Sequence, residues 1–131
     1  NDENINEHWD YLLEKDDQNF KVEVKAEKRI ERKDNGAQSD FIWVELRNVR
    51  GKVGWLFGKA DLIAFEREKT FFLVKRLDLL TVVNQKVNLV TKVRFAKDAL
   101  YKIYTREGCK DKLTLLPASE IEPIKFMEWK K

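Results

Sequence analysis

Two alternating runs flank an aspartate pair near the start of this chain, and they constrain its fold more than any other feature. The runs are Trp9-Asp10-Tyr11-Leu12-Leu13-Glu14 and Phe20-Lys21-Val22-Glu23-Val24-Lys25-Ala26, separated by Asp16-Asp17-Gln18-Asn19. A period of two puts Phe20, Val22 and Val24 on one face of the second run and Lys21, Glu23 and Lys25 on the other. The segment between is made of turn-forming residues, so the whole reads as a β-hairpin. A two-residue loop at Asp16-Asp17 sets Asp10 across from Glu23, and a four-residue loop sets it across from Lys25. Either register gathers two carboxylates and an ammonium on one face within cross-strand contact distance. A three- or five-residue loop moves Asp10 to the opposite face.

An Asp followed on the next strand by Glu23-Val24-Lys25 resembles the PD-(D/E)XK, or restriction-endonuclease-like, nuclease superfamily. The resemblance runs from Trp9 to about Arg67 and includes Lys25-Ala26-Glu27-Lys28-Arg29, Trp43-Val44-Glu45-Leu46-Arg47-Asn48 and Gly54-Trp55-Leu56-Phe57-Gly58-Lys59-Ala60-Asp61. In that order the segments are similar to small nuclease-like proteins of tailed bacteriophages. Trp9 stands where the family usually has Pro. The helix that usually precedes the first strand is largely missing, and the chain starts at Asn1 without Met, so a processed or truncated start is expected. The resemblance implies an α/β fold with a restriction-endonuclease-like core: a mixed, mainly antiparallel central sheet with few short helices. It also implies Mg²⁺ as cofactor, with Mn²⁺ able to substitute, and the Val24 carbonyl as a third metal ligand beside Asp10 and Glu23.

Composition narrows the chemistry. At 131 residues the chain suits one domain, residues 1–131. Its 43% hydrophobic and 11% aromatic content indicates a packed core rather than disorder. No apolar stretch approaches the roughly 20 residues that span a bilayer, so a soluble, cytoplasmic protein without membrane association is expected. The single His8 and single Cys109 make a zinc site, a Ser-His-Asp triad or a Cys-His pair improbable. Catalysis therefore has to run on carboxylates, lysine and a hard metal ion. A net charge of +3 is too mild to imply nucleic acid, but Lys21, Lys25, Lys28, Arg29, Arg32 and Lys33 cluster after the hairpin, followed by Arg47, Arg50 and Lys52. These suit phosphate contacts or, with Glu27, Glu31 and Asp34 interspersed, a solvated face.

Further along, Arg32–Asp40 reads as a loop around Asp34-Asn35-Gly36, and Phe41–Asn48 as a third strand. A fourth strand is expected within Leu56–Phe65 and a fifth over Thr70–Lys75. Leu77–Lys86 reads as a short helix weakened by Thr81-Val82-Val83, and residues 89–108 are ambiguous. A late strand spans Lys112–Leu116, a helical turn Ser119–Glu122, and the Lys130-Lys131 end is expected to fray.

For phosphodiester hydrolysis, Asp10 and Glu23 are the candidate metal ligands, and Lys25 the candidate that orients or deprotonates the water and holds the phosphate. The plain alternative is a set of cross-strand ion pairs. Glu45 either joins the metal shell or pairs with Arg47 or a nearby Lys. Lys28, Arg29, Arg32 and Arg47 are candidate nucleic-acid contacts. Glu7 is a candidate upstream acid or part of a loose terminus, and His8 a surface residue. Trp43 and Trp55 either stack on bases or fill the core. The expectation is a Mg²⁺-dependent endo- or exonuclease acting on DNA. The alternative is an inactive, nuclease-derived module that grips nucleic acid or protein. Assembly as a homodimer is left open.

Overall fold

The computed structural model describes residues 9–28, 30 and 38–131. Strands β1 (Tyr11–Lys15) and β2 (Gln18–Lys25) form the expected hairpin. Asp16 and Asp17 both take positive φ, 52° and 63°, the pairing that a two-residue type I′ turn needs and that aspartate tolerates. Tyr11 thus faces Val22, Leu13 faces Phe20, and Lys15 faces Gln18. On its other side β2 pairs in parallel with β4 (Leu62–Glu66), aligning Glu23 with Ile63 and Lys25 with Phe65. Asp61 pins that pairing: its Oδ2 accepts the Lys21 amide at 2.9 Å, and its own amide donates to the Lys21 carbonyl at 2.8 Å. Beyond β4 lie β5 (Thr70–Lys75) and β9 (Lys125–Lys130), both antiparallel, giving the order β1-β2-β4-β5-β9.

The second sheet has the order β3-β8-β7-β6, built from β3 (Phe41–Arg47), β6 (Asn88–Val93), β7 (Lys102–Tyr104) and β8 (Lys112–Pro117). Its pairs are antiparallel except β6 with β7. Helix α1 (Arg76–Lys86) follows β5 directly, with Asp78 in its first turn and Lys86 in its last, each matching the helix dipole. Its β-branched residues are tolerated because Val83, with Leu79, is buried in the main core. That core joins Ile63, Phe65 and Val74 of the first sheet to Ile42, Val44, Ile103 and Leu116 of the second, with Trp55 and Leu56 from a 3-10 turn (Trp55–Phe57). Val22, Leu62, Ala64 and Leu73 form a smaller cluster with residues such as Phe20, Phe126 and Trp129. Register puts this cluster on the other face of the first sheet, so both faces of β2 are covered.

The chain is α/β, with mixed, mostly antiparallel sheets and one α-helix among the described residues. Instead of one central sheet there are two, because β3 leaves the hairpin and pairs with β8. Residues Trp55–Phe57 form the 3-10 turn rather than strand, and the fourth strand starts only at Leu62. The ambiguous stretch resolves into β6, a 3-10 turn (Ala96–Asp98) and β7. The expected fraying at the end is absent up to Lys130: β9 pairs with β5, and its Met127 and Trp129 cover the smaller cluster. No described helix is long and apolar enough to cross a membrane.

One carboxylate ties α1 to the second sheet. Glu120, in the 3-10 turn Ala118–Glu120 after β8, accepts from Lys86 Nζ at 2.7 Å and from the Tyr101 hydroxyl at 2.5 Å. Those two bonds, the lysine's first, hold the Glu120 carboxyl below the usual glutamate range. The bond to Glu120, then burial, pushes the Tyr101 phenol up to about 12 from 10.0. The signs follow from linkage. Glu120's contribution is complete above the ordinary glutamate range and is lost as pH falls through its lowered value. Tyr101's is complete below pH 10.0 and is lost as pH rises toward about 12. Glu120→Gln should therefore move the tyrosinate absorbance transition of Tyr101 down toward 10.0, assigned by difference from Tyr101→Phe.

Candidate active site

The parallel alignment of β2 with β4 turns Glu23 and Lys25 toward the main core, the side occupied by Ile63 and Phe65. Glu23 is only 9% exposed, so its charge needs a partner. Lys25 supplies it: Nζ lies 2.9 Å from Glu23 Oε1 and 5.4 Å from the centre of the Trp55 ring. Trp55 is buried edge-on against Phe65, at 5.9 Å between ring centres. The ammonium thus sits between a carboxylate and an aromatic face.

Asp10 lies just outside β1 and brackets Glu23 through the backbone. Its amide donates to the Val22 carbonyl at 2.7 Å, and its Oδ2 accepts the Val24 amide at 2.8 Å. Each carboxylate therefore has one oxygen held and one outside these contacts. Hard oxygen donors of this kind fit Mg²⁺, which takes one or two carboxylates and keeps several waters. Among the described residues no three His, Cys, Asp or Glu side chains converge.

Glu45, from the second sheet, lines a cleft together with Lys25, Lys28, Trp43 and Trp55; Lys25 reaches this cleft, whereas Asp10 and Glu23 are not among its lining residues. The alternative pairing of Glu45 with Arg47 does not form. A bulge between them aligns Glu45 with Leu113 but Arg47 with Lys112, and consecutive residues of β8 point to opposite faces. Arg47 instead bonds the Gly51 carbonyl and lines a separate opening with Lys52, Phe57 and Leu89. Gly54 packs against this bulge, and a Cβ there would lie 2.5 Å from the Glu45 carbonyl oxygen. The glycine in Gly-Trp-Leu-Phe-Gly is thus explained by close approach rather than by a phosphate loop.

Lys28 is exposed at the mouth of the cleft. Gln38 fastens this stretch to β3: its Nε2 donates to the carbonyls of Lys28 and Phe41, and its Oε1 accepts the Phe41 amide. Across the cleft, Lys131 and then the Glu27 amide hold the Glu66 carboxyl below its ordinary range. Arg29, Arg32, Glu7 and His8 lie outside the described residues. The structure adds Arg67, Tyr104 and Arg106 to the surroundings of the cleft. Tyr104 and Arg106 come from the stretch with no clear period, which left them without a local signal.

No protein-family model, curated protein or solved structure matches this chain.

Two outcomes test the geometry. Lys25→Met should destabilise the fold by about 1–3 kcal/mol, because it leaves the mostly buried Glu23 charge uncompensated. The double variant Glu23→Gln/Lys25→Met should recover part of that loss in denaturant unfolding, and strictly additive effects would dissolve the pair. Gly54→Ala should cost about 1–3 kcal/mol by overpacking against Glu45; a melting temperature equal to that of the wild type would contradict the close approach.

Proposed function

We propose that this protein is a divalent-metal-dependent nuclease with a restriction-endonuclease-like active centre, acting on nucleic acid and most readily on DNA. The observation that supports it is the Glu23–Lys25 pair, turned inward, with Asp10 bonded to the residues on either side of Glu23. A surface pair would gain little from this placement. Here a mostly buried carboxylate holds an ammonium that itself lines a cleft, which is where convergent polar groups serve a ligand.

Asp10 and Glu23 would hold Mg²⁺ through the oxygens outside their present contacts. Bound there, the ion supplies a water of lowered pKa and relief of charge on the phosphoryl oxygens. Lys25 binds the scissile phosphate and orients the attacking water, and its place against Glu23 and Trp55 limits the rotamers it has to lose. Glu45 reaches the cleft from the opposite sheet, and no hydrogen bond or ion pair holds its carboxylate among the described residues, which leaves it able to accept a proton or position a water. Lys28 meets the substrate backbone at the cleft mouth.

A second proposal has one observation in its favour. Asp10 Oδ2 already serves the backbone, which suits a nuclease-derived module that grips without cutting. Cleavage assays on plasmid, linear and single-stranded DNA separate the two. With Mg²⁺ or Mn²⁺ the wild type should cut, while Asp10→Asn, Glu23→Gln and Lys25→Met should each lose about a hundredfold or more. The metal should also raise the melting temperature of the wild type but not of Glu23→Gln. Binding with no cutting under any divalent ion would establish the gripping module instead.

A further inference from the structure

The cleft does not end at Lys25. It continues around β3, the edge strand of the second sheet, into a groove of about 280 Å³ that shares Lys28, Trp43, Glu45 and Leu113 with it. Register explains the floor. Glu45, Leu113 and Tyr104 form one cross-strand row over β3, β8 and β7, and Trp43 lies two residues from Glu45 on the same face. The intervening residues Ile42, Val44 and Ile103 point into the core. Trp43 and Tyr104 therefore stand on the outward face, half-exposed, with ring centres 5.5 Å apart and planes inclined by 36°. At the far end, Asp111 holds Arg106 through Nε and Nη2, both at 2.7 Å. Asp111 is 1% exposed, so the guanidinium is anchored before any ligand arrives.

We infer that this groove seats single-stranded nucleic acid, with one unpaired base laid on the Trp43–Tyr104 pair and the flanking phosphates near Lys28 and Arg106. The inference takes its ligand class from the proposed nuclease function. Its preference for a single strand comes from the rings. An aromatic surface stacks with any base, but inside a duplex both faces of each base are already covered, so only an unpaired or extruded base can reach it. The volume lies near the lower end of small-molecule pockets, about 300–1,000 Å³, and suits one base rather than a pair. Lys28 and Arg106 at the two ends complement the phosphates, and the prior fixing of Arg106 reduces the ordering cost.

The test is fluorescence anisotropy with a labelled oligothymidine and a duplex of equal length, both in EDTA so that cutting plays no part. The wild type should bind the oligothymidine more tightly. Trp43→Ala and Tyr104→Ala should each weaken it roughly five- to hundredfold while leaving duplex binding unchanged, and Trp43→Phe should retain most of the affinity. If Trp43→Ala does not fold, Tyr104→Ala still decides the matter. Equal affinity for both ligands, or folded alanine variants that bind like the wild type, would overturn the inference. Single-strand binding that depends on the rings in a protein that never cuts would uphold it while the nuclease proposal fails. Metal-dependent cutting with no effect of the rings on binding would do the reverse.

Discussion

A charge turned inward governs this structure. β2 lies between β1 and β4, and apolar residues cover both faces of the sheet at that point. With Val22 at 0% and Glu23 at 9% exposure, neither alternating face of the strand is simply solvated. Glu23 therefore has to be compensated from within the fold, and Lys25, backed by Trp55, is the group that does so. Moving the pairing by one residue would exchange Val22 and Glu23 between the two faces and turn the pair away from Trp55. The aspartate turn on one side and the Asp61–Lys21 bonds on the other oppose that slip.

The hairpin was legible because its determinants are local. Alternation named the strands, and Asp16-Asp17 named a turn whose two positive φ angles aspartate accepts. Thr70–Lys75 and the helix ending at Lys86 were legible for the same reason. What period alone could not show was that Lys21, Glu23 and Lys25 lie on a face that turns inward, because that depends on a second sheet closing over the first. The partner of β3 was hidden likewise: nothing near Trp43 points to β8. The exchange of faces between Glu45 and Arg47 rests on one bulged residue, which a strict period of two passes over.

The site's two halves have different origins. Asp10, Glu23 and Lys25 come from neighbouring strands of the first sheet, whereas Trp43, Glu45 and Tyr104 come from the second. The 3-10 turn joins them, with Trp55 against Lys25 and Gly54 against the Glu45 backbone. Arg76 secures this turn, donating to the carbonyls of Leu56 and Ala60 at 3.0 and 2.7 Å. An arginine at the start of α1 thereby braces the segment that carries Trp55.

The route by which β2 meets β4 and β3 meets β8 bears on the order of assembly. The hairpin closes through contacts between neighbours in sequence, which form quickly. The parallel pair needs a long excursion to be closed first, and β3 pairs only after β8 has been placed. The Glu23–Lys25 pair lies within one strand, whereas the burial around it depends on a second sheet whose strands are far apart in sequence. A chain without β8 would keep the Glu23–Lys25 strand but lose the partner of β3, and with it the wall that brings Trp43 and Glu45 to the cleft.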